Sequence, residues 1–357
     1  MPILESGELV LVTGANGYIG GVIIQKLLDA GFKVRGSVRD ISSPKNAWLQ
    51  PHYGPNFSLV QIPDVAEPHA FDKAIKGVHG VCHTAATLVL DTDPEKVITP
   101  EINGMLNVLK AAATQDTVKR VVYTSSSAAL ITHTPGLEYH LDAHSWNEEA
   151  KVVWTLPVTQ GFSRGYINYA AKKVEAEQRA FQWMKDNTPK FDFNSVLPNS
   201  TFGIMTRADK TGFISTGGIL KMLWEGETSF TSLFAPQWFV DVEDSALLHV
   251  AAFTLPDVVS ERLLAFAGRY SWNEILAIFR KEAPGREFAD DVGEVKDRGT
   301  VDNKRAEEIL RRLGKQEGFT PLEETIKKWI PYMQQAEKEG WASAKSSTDA
   351  EQLRSFE

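Results

Sequence analysis

The sequence predicts an α/β protein, a doubly wound parallel sheet with a smaller C-terminal unit beside it, and three observations carry that reading. Residues 9–13 are an apolar run that turns over Gly14, Gly17 and Gly20 into a helix-like segment, with the spacing G-x-x-G-x-x-G. Further runs of strand length at 33–39, 57–62, 81–86 and 120–126 alternate with stretches of helical period, the pattern of βαβ units that feed one parallel sheet. Past residue 200 the period loosens and large aromatic residues multiply: Phe202, Phe213, Trp224, Phe230, Phe234, Trp238 and Phe239. Residues 1–200 are therefore expected to form a Rossmann-type unit to which the chain returns near 236–267, residues 201–340 a smaller substrate-binding unit, and 341–357 a polar tail.

Composition bounds what such a chain can do. Its 357 residues have the mass of about two domains, and 43% hydrophobic with 24% charged residues is the balance of a globular rather than a disordered chain. A net charge of −8 argues against a nucleic-acid surface, so any bound phosphate must be held by locally placed cations. The single cysteine, Cys82, lies in an apolar run, which rules out an internal disulfide and is compatible with a reducing compartment. The start has no basic, apolar leader, and no run approaches the roughly 18 apolar residues of a membrane span. A cytoplasmic protein without membrane contact, monomer or homodimer, is expected.

Taken in order, Val10, Leu11 and Val12 read as a buried strand. Gly14 permits a sharp turn where a side chain would clash, Gly17 lets a pyrophosphate approach the main chain, and Gly20 lets the next helix pack on the strand. In that helix, residues 18–30, the leading amides around Tyr18 and Ile19 face the phosphates with the positive end of the helix dipole. Strand 33–39 then ends beside the adenosine ribose. Asp40 there would suit the 2′-hydroxyl of NAD, whereas Arg35, Arg39 and Lys45 would suit the 2′-phosphate of NADP. The cations favour NADP; the bland alternative is that Arg39 and Lys45 are solvated loop charges. Strand 57–62 leads to Asp64 and Val65 near the adenine, a short helix is expected at 71–75, and strand 81–86 carries Thr84. A helix at 94–115 has Pro100 as a kink point, and strand 120–126 ends at Ser126. With Thr13 and Gly14, the strand ends at Arg39, Asp64, Thr84 and Ser126 should line one crevice. A long irregular stretch, 128–166, precedes a strong helix at 168–187 and a sixth strand closed by Pro198. A helix at 243–255 and a returning strand at 263–267 follow. Late helices are announced by capping boxes at Ser271 and Thr320, and by Asp302 before a helix that Gly314 ends.

Tyr169 and Lys173, four residues apart on the strong helix, share one face. An ammonium beside a phenol favours phenolate, and such a tyrosine can pass its proton to an oxygen as hydride adds to the carbon. The lysine can also reach a ribose hydroxyl, and Ser126 at its strand end can hydrogen-bond a carbonyl. A lone Y-x-x-x-K is common on surface helices; here it follows a phosphate turn and a fifth strand in the right order.

Thr13-Gly-x-x-Gly-x-x-Gly20, Thr124-Ser-Ser126 and Tyr169-x-x-x-Lys173 together resemble the extended short-chain dehydrogenases/reductases. Val34-Arg-Gly-Ser-Val-Arg39-Asp40, Ile102-Asn-Gly-Met-Leu106, Trp146-Asn and Leu197-Pro198 narrow the resemblance to the branch of plant dihydroflavonol reductases and yeast NADPH-dependent aldehyde and carbonyl reductases. It runs from about Leu9 to about Ile330. It implies a Ser126, Tyr169, Lys173 catalytic triad with Tyr169 as proton donor, NADPH held with Arg39 and Lys45 on its 2′-phosphate, and a small-molecule carbonyl substrate. It also implies a substrate pocket shaped by Tyr166, Asn199, Ile219, Phe234 and Gln237. One departure stands out: many extended members carry Asn three residues before the glycine of the helix after the fourth strand, where this chain has Glu101 before Gly104.

Other readings compete. Gly161-Phe-Ser163-Arg-Gly165, with Asp244 and His249 downstream, meets the hydrolase nucleophile-elbow pattern but lacks a buried strand before it. His140 and His144 imitate a two-histidine metal site in an irregular stretch; His79 and His83 sit on a strand, where that spacing spans roughly 13 Å. No metal is expected. A non-catalytic NADP-binding regulator or a cofactor-retaining epimerase on the same fold stays open.

Overall fold

The computed structural model describes residues 3–86 and 91–341; the expected tail from residue 342 lies outside them. In chain order the elements are β1 (Leu9–Thr13), α1 (Tyr18–Asp29), β2 (Lys33–Val38), α2 (Leu49–Tyr53), β3 (Phe57–Gln61), β4 (Gly80–His83), α3 (Pro94–Ala113) and β5 (Arg120–Thr124). There follow β6 (His140–Leu141), α4 (Phe162–Asn187), β7 (Asp192–Pro198), β8 (Ser200–Phe202), α5 (Ala208–Thr211), α6 (Thr216–Trp224), β9 (Trp238–Asp241) and α7 (Val242–Thr254). The chain closes with β10 (Arg262–Ala265), β11 (Gly268–Arg269), α8 (Trp272–Glu282), β12 (Thr300–Val301), α9 (Lys304–Arg312) and α10 (Leu322–Lys338).

A seven-stranded sheet in the order β10-β7-β5-β4-β1-β2-β3 organises the molecule, and every pairing in it is parallel. Parallel strands need crossovers, and the crossovers lay helices on both faces. β1 shows the result: Val10 and Val12 pack into a core with α1, α6, α7 and α8, while Leu11 points to the opposite core with α3 and α4. The strand order reverses between β1 and β4, and the crevice at their carboxyl ends is the ligand position of such sheets. The return to the sheet expected at 263–267 is β10, in register with β7 from Arg262 opposite Ser195 to Ala265 opposite Pro198.

Several local expectations are corrected. The stretch 71–75 runs as successive turns, because His69 at φ 65° and Gly77 at φ 70° interrupt any helix there. The strong helix begins at Phe162, six residues before Asn168, behind Gly161 at φ 114°. Ser271 does cap α8, accepting the Glu274 amide at 3.1 Å. Thr320 caps nothing: its amide goes to the Asp244 carboxylate at 2.5 Å, its hydroxyl accepts from Lys315 at 2.6 Å, and α10 starts behind Pro321. Trp341 stacks on Phe213 at 5.9 Å and so packs on the body of the protein.

Candidate active site

The glycine turn joins the two strands at the reversal point. Thr13 Oγ1 accepts the amides of Thr84 (3.0 Å) and Ala85 (2.9 Å), and Thr84 returns its hydroxyl to the Thr13 carbonyl. With both lone pairs taken, the Thr13 hydroxyl proton faces His83 Nδ1 at 3.0 Å. Gly14 turns at φ 71°, and a Cβ on Gly20 would lie 2.5 Å from the Gly14 carbonyl oxygen, so no larger residue fits this approach. α1 starts behind Gly17 with no side-chain cap and no acid in its first turn. Its leading amides therefore face the crevice without a competing protein anion, a cradle that fits a pyrophosphate. Tyr18 contributes to that cradle only through its main chain, because its buried hydroxyl bonds the Gly203 carbonyl at 2.9 Å; Ile19 is half-buried.

On the ribose side, Arg39 and Lys45 are exposed past the end of β2. Arg35 is not with them: its guanidinium donates to the carbonyls of Ala74 and Lys76, both at 2.8 Å, which ties β2 to the turns before β4 and corrects the expectation that it brackets a phosphate. Asp40 is engaged locally, taking the amide (2.9 Å) and hydroxyl (2.6 Å) of Ser42, which hold its carboxyl below the usual range. Asp64 accepts the Ala66 amide at 2.8 Å, and Asn107 on α3 gathers the carbonyls of Val65, Ala66 and Glu67 at 3.1, 3.0 and 2.9 Å.

Ser126 follows β5, is buried, and its hydroxyl accepts the Ala128 amide at 3.2 Å, starting a short turn that packs on α4. Tyr169 is half-buried on α4 and Lys173 lies one turn on. Lys173 Nζ donates to Glu101 Oε1 (2.8 Å), the Tyr123 hydroxyl (3.1 Å) and the Thr124 carbonyl (3.2 Å), which occupies all three protons of an ammonium. Lys172 stands 5.0 Å from the centre of the Tyr169 ring and 3.5 Å from Glu101 Oε2. Burial pushes the Glu101 carboxyl up, but the two ammonium groups outweigh it and hold the group at about 2. Burial brings Lys172 down to about 8 against the pull of Glu101, with the charge of Lys173 adding to the fall.

A second buried anchor stands behind the serine. Glu177 accepts from Ser125 (2.7 Å), Ser195 (2.5 Å) and Arg262 Nε (3.0 Å), and the Arg262 guanidinium lies 3.6 Å over the Trp146 ring. Four elements thus converge on one carboxylate beside Ser126. Thr124 is fixed from the other face by His249 Nε2 at 2.8 Å, while His249 Nδ1 bonds the Ser245 carbonyl at 2.7 Å.

Of the expected pocket residues, Tyr166 stacks on Tyr169 at 6.2 Å and on Phe162 at 6.0 Å, and Phe162 meets the edge of Phe234 at 5.0 Å. This aromatic wall runs from Tyr169 along α4. Ile219 is buried in α6 within the same core as Phe162. Asn199 turns its side-chain oxygen onto the Ser200 amide at 2.7 Å, Gln237 holds the Tyr270 amide by its carbonyl at 2.8 Å, and Pro198 closes β7 opposite Ala265.

Residues 10–144 match the NAD dependent epimerase/dehydratase family. The chain is 38% identical over 333 residues to aldehyde reductase 2 of Sporidiobolus salmonicolor, covering 91% of this chain and 96% of that one. The chain belongs to the extended short-chain dehydrogenases/reductases. A ketoreductase of Penicillium roqueforti is 38% identical over 92% of this chain and 97% of its own. Among solved structures, a yeast methylglyoxal/isovaleraldehyde reductase complexed with NADPH is similar with a TM-score of 0.77 at 26% identity, over 93% of this chain and 99% of that one.

Within this extended short-chain dehydrogenase/reductase, the hydrolase reading has no structural footing. Ser163 is exposed in the first turn of α4 with no strand before it, His249 is committed to Thr124, and Asp244 to Thr320 and Lys315. Among the described residues, no group of three or more His, Cys, Asp or Glu side chains comes together as a metal site, and no helix is long and apolar enough to cross a membrane. Sequence reasoning missed Tyr123, Lys172, Arg262 and Asn107. The available signal was their place in buried strands and helix faces, where a polar side chain needs a partner.

Proposed function

We propose that the protein reduces ketones and aldehydes with bulky, apolar or aromatic substituents to alcohols, using NADPH. The observation that carries this reading is Tyr169, set at the head of an aromatic wall on α4, the helix against which the turn after buried Ser126 packs, in a fold whose glycine turn is shaped for a pyrophosphate. When bound, NADPH supplies the hydride. The leading amides of α1 hold its pyrophosphate, and Arg39 and Lys45 take the 2′-phosphate; the commitment of Asp40 to Ser42 supports a phosphorylated ribose over a free 2′-hydroxyl. Ser126 donates its hydroxyl to the carbonyl oxygen and steadies the charge that grows there. Tyr169 Oη gives its proton to that oxygen, the Lys172 ammonium over its ring stabilises the phenolate left behind, and Lys173, one turn on, supports the site from its place against β5. Tyr166, Phe162 and Phe234 offer a flat apolar face to the substituent. The names of the fungal relatives support the same reaction class.

The test is turnover of NADPH and, in parallel, NADH against aryl ketones, β-keto esters and aldehydes. The expected result is faster turnover with NADPH and alcohol formed in equal amount. Cofactor that binds yet is not oxidised by any member of the panel would overturn the proposal and favour an epimerase or a regulator.

A further inference from the structure

We propose that Glu101 is a positioning residue of the reaction: from α3 it fixes Lys173 beneath β5 and keeps Lys172 against the ring of Tyr169, so that an ammonium group bears on the proton donor. The inference rests on the reductase reading and deepens it. Its ground is geometry. Glu101 Oε1 accepts from both Lys173 Nζ (2.8 Å) and the Tyr123 hydroxyl (2.9 Å), while Oε2 lies 3.5 Å from Lys172 Nζ. The side chains of Glu101, Lys172 and Lys173 are 6%, 0% and 4% exposed, so water does little to screen them. Lys173 reaches the Tyr123 hydroxyl and the Thr124 carbonyl from the same point, which couples α3, α4 and the end of β5 two residues before Ser126.

Consecutive residues on a helix point about 100° apart, so Lys172 and Lys173 cannot both face one crevice by spacing. A carboxylate from the neighbouring helix, placed between them, draws both ammonium groups to one spot. Two buried cations without it would repel, and one would lose its proton. The groups that face Glu101 are Lys172 and Lys173 on α4, Tyr123 on β5 and His83 on β4; Tyr166 faces Tyr169 along α4. Of these, Lys172 has been brought down to about 8 by burial even with the carboxylate present. Without the carboxylate Lys172 gives up its proton, so removing the anion takes the cation away from Tyr169 and makes the phenol proton harder to lose, as does removing Lys172 itself.

The test reads the alkaline limb of kcat against pH for NADPH-dependent reduction, and the alkaline titration of the tyrosinate absorbance that Tyr169→Phe abolishes. Glu101→Gln is expected to move both toward higher pH by about one to two units and to lower kcat more than it raises the KM for NADPH. Lys172→Gln is expected to move both the same way, and Glu101→Asp to restore the position of the limb. A merely structural role would lower thermal stability in each variant and move neither titration. Unchanged titrations in folded Glu101→Gln would overturn the inference. If that variant fails to fold, Lys172→Gln decides, and an unmoved or acid-shifted titration there overturns it. The tyrosinate titration needs no turnover, so an inactive wild type would sink the reductase reading while this inference is still judged.

Discussion

In the proposed reaction Tyr169 and Ser126 divide the work at the carbonyl oxygen, and each can be removed with little volume change. Tyr169→Phe is expected to lower kcat by about 10²–10⁴-fold with cofactor binding retained, which fluorescence titration with NADPH checks. Ser126→Ala is expected to cost about 10²–10³-fold, because the developing charge loses one donor. In the proposed reading Arg39 acts on the cofactor instead. A charge-assisted contact is worth about 1.5–3 kcal/mol, so Arg39→Ala should raise the KM for NADPH about ten- to hundredfold and leave that for NADH nearly unchanged. Equal losses with both cofactors would show that Arg39 does not read the 2′-phosphate.

The elements hold these groups through buried charges. Glu177 and Arg262 join α4, β5, β7 and β10 where neither side chain meets water. Arg262→Met leaves a buried carboxylate unpaired and should cost about 3–5 kcal/mol in urea unfolding; adding Glu177→Met should recover much of it. A double variant no more stable than the single one would contradict that assignment. The same elements mark how far the sequence could be read. Strands β1, β2 and β5 and the glycine turn were legible because apolar runs and glycine spacing are local signals. The face shared by Tyr169 and Lys173 was legible too, since it follows from helical period. Where Lys173 points was not, because its direction is set by Glu101, about seventy residues earlier and brought near only by packing. Arg35 and Thr320 misled for a related reason: the carbonyls of Ala74 and Lys76 and the carboxylate of Asp244 claim them in three dimensions.

For the molecule as a whole, buried titratable groups set the response to acid. His83 and His249 are buried and pushed down to about 4, whereas an unfolded histidine takes its proton near 6.5. Between those values the unfolded chain binds more protons, so stability present above about pH 6.5 is lost as the pH falls toward 4. Glu101, held at about 2, extends the loss further, from the ordinary carboxylate range downward. Asp241 works the other way, since burial raises its carboxyl to about 6 and the folded chain holds that proton, so urea midpoints followed from neutral pH to about 4 should fall with a net slope of about one proton. A flat profile across that window would mean that the two imidazoles are not held neutral in the folded protein.

The central claim is hydride delivery to a carbonyl carbon with Tyr169 supplying the proton. Reduction of an aryl ketone with NADPH deuterated at the transferable position tests it most directly, read by mass spectrometry of the alcohol. The account predicts one deuterium on the carbinol carbon, formed with equal consumption of NADPH and lost with Tyr169→Phe. Alcohol without deuterium, or labelled cofactor recovered unoxidised beside an epimerised substrate, would contradict it.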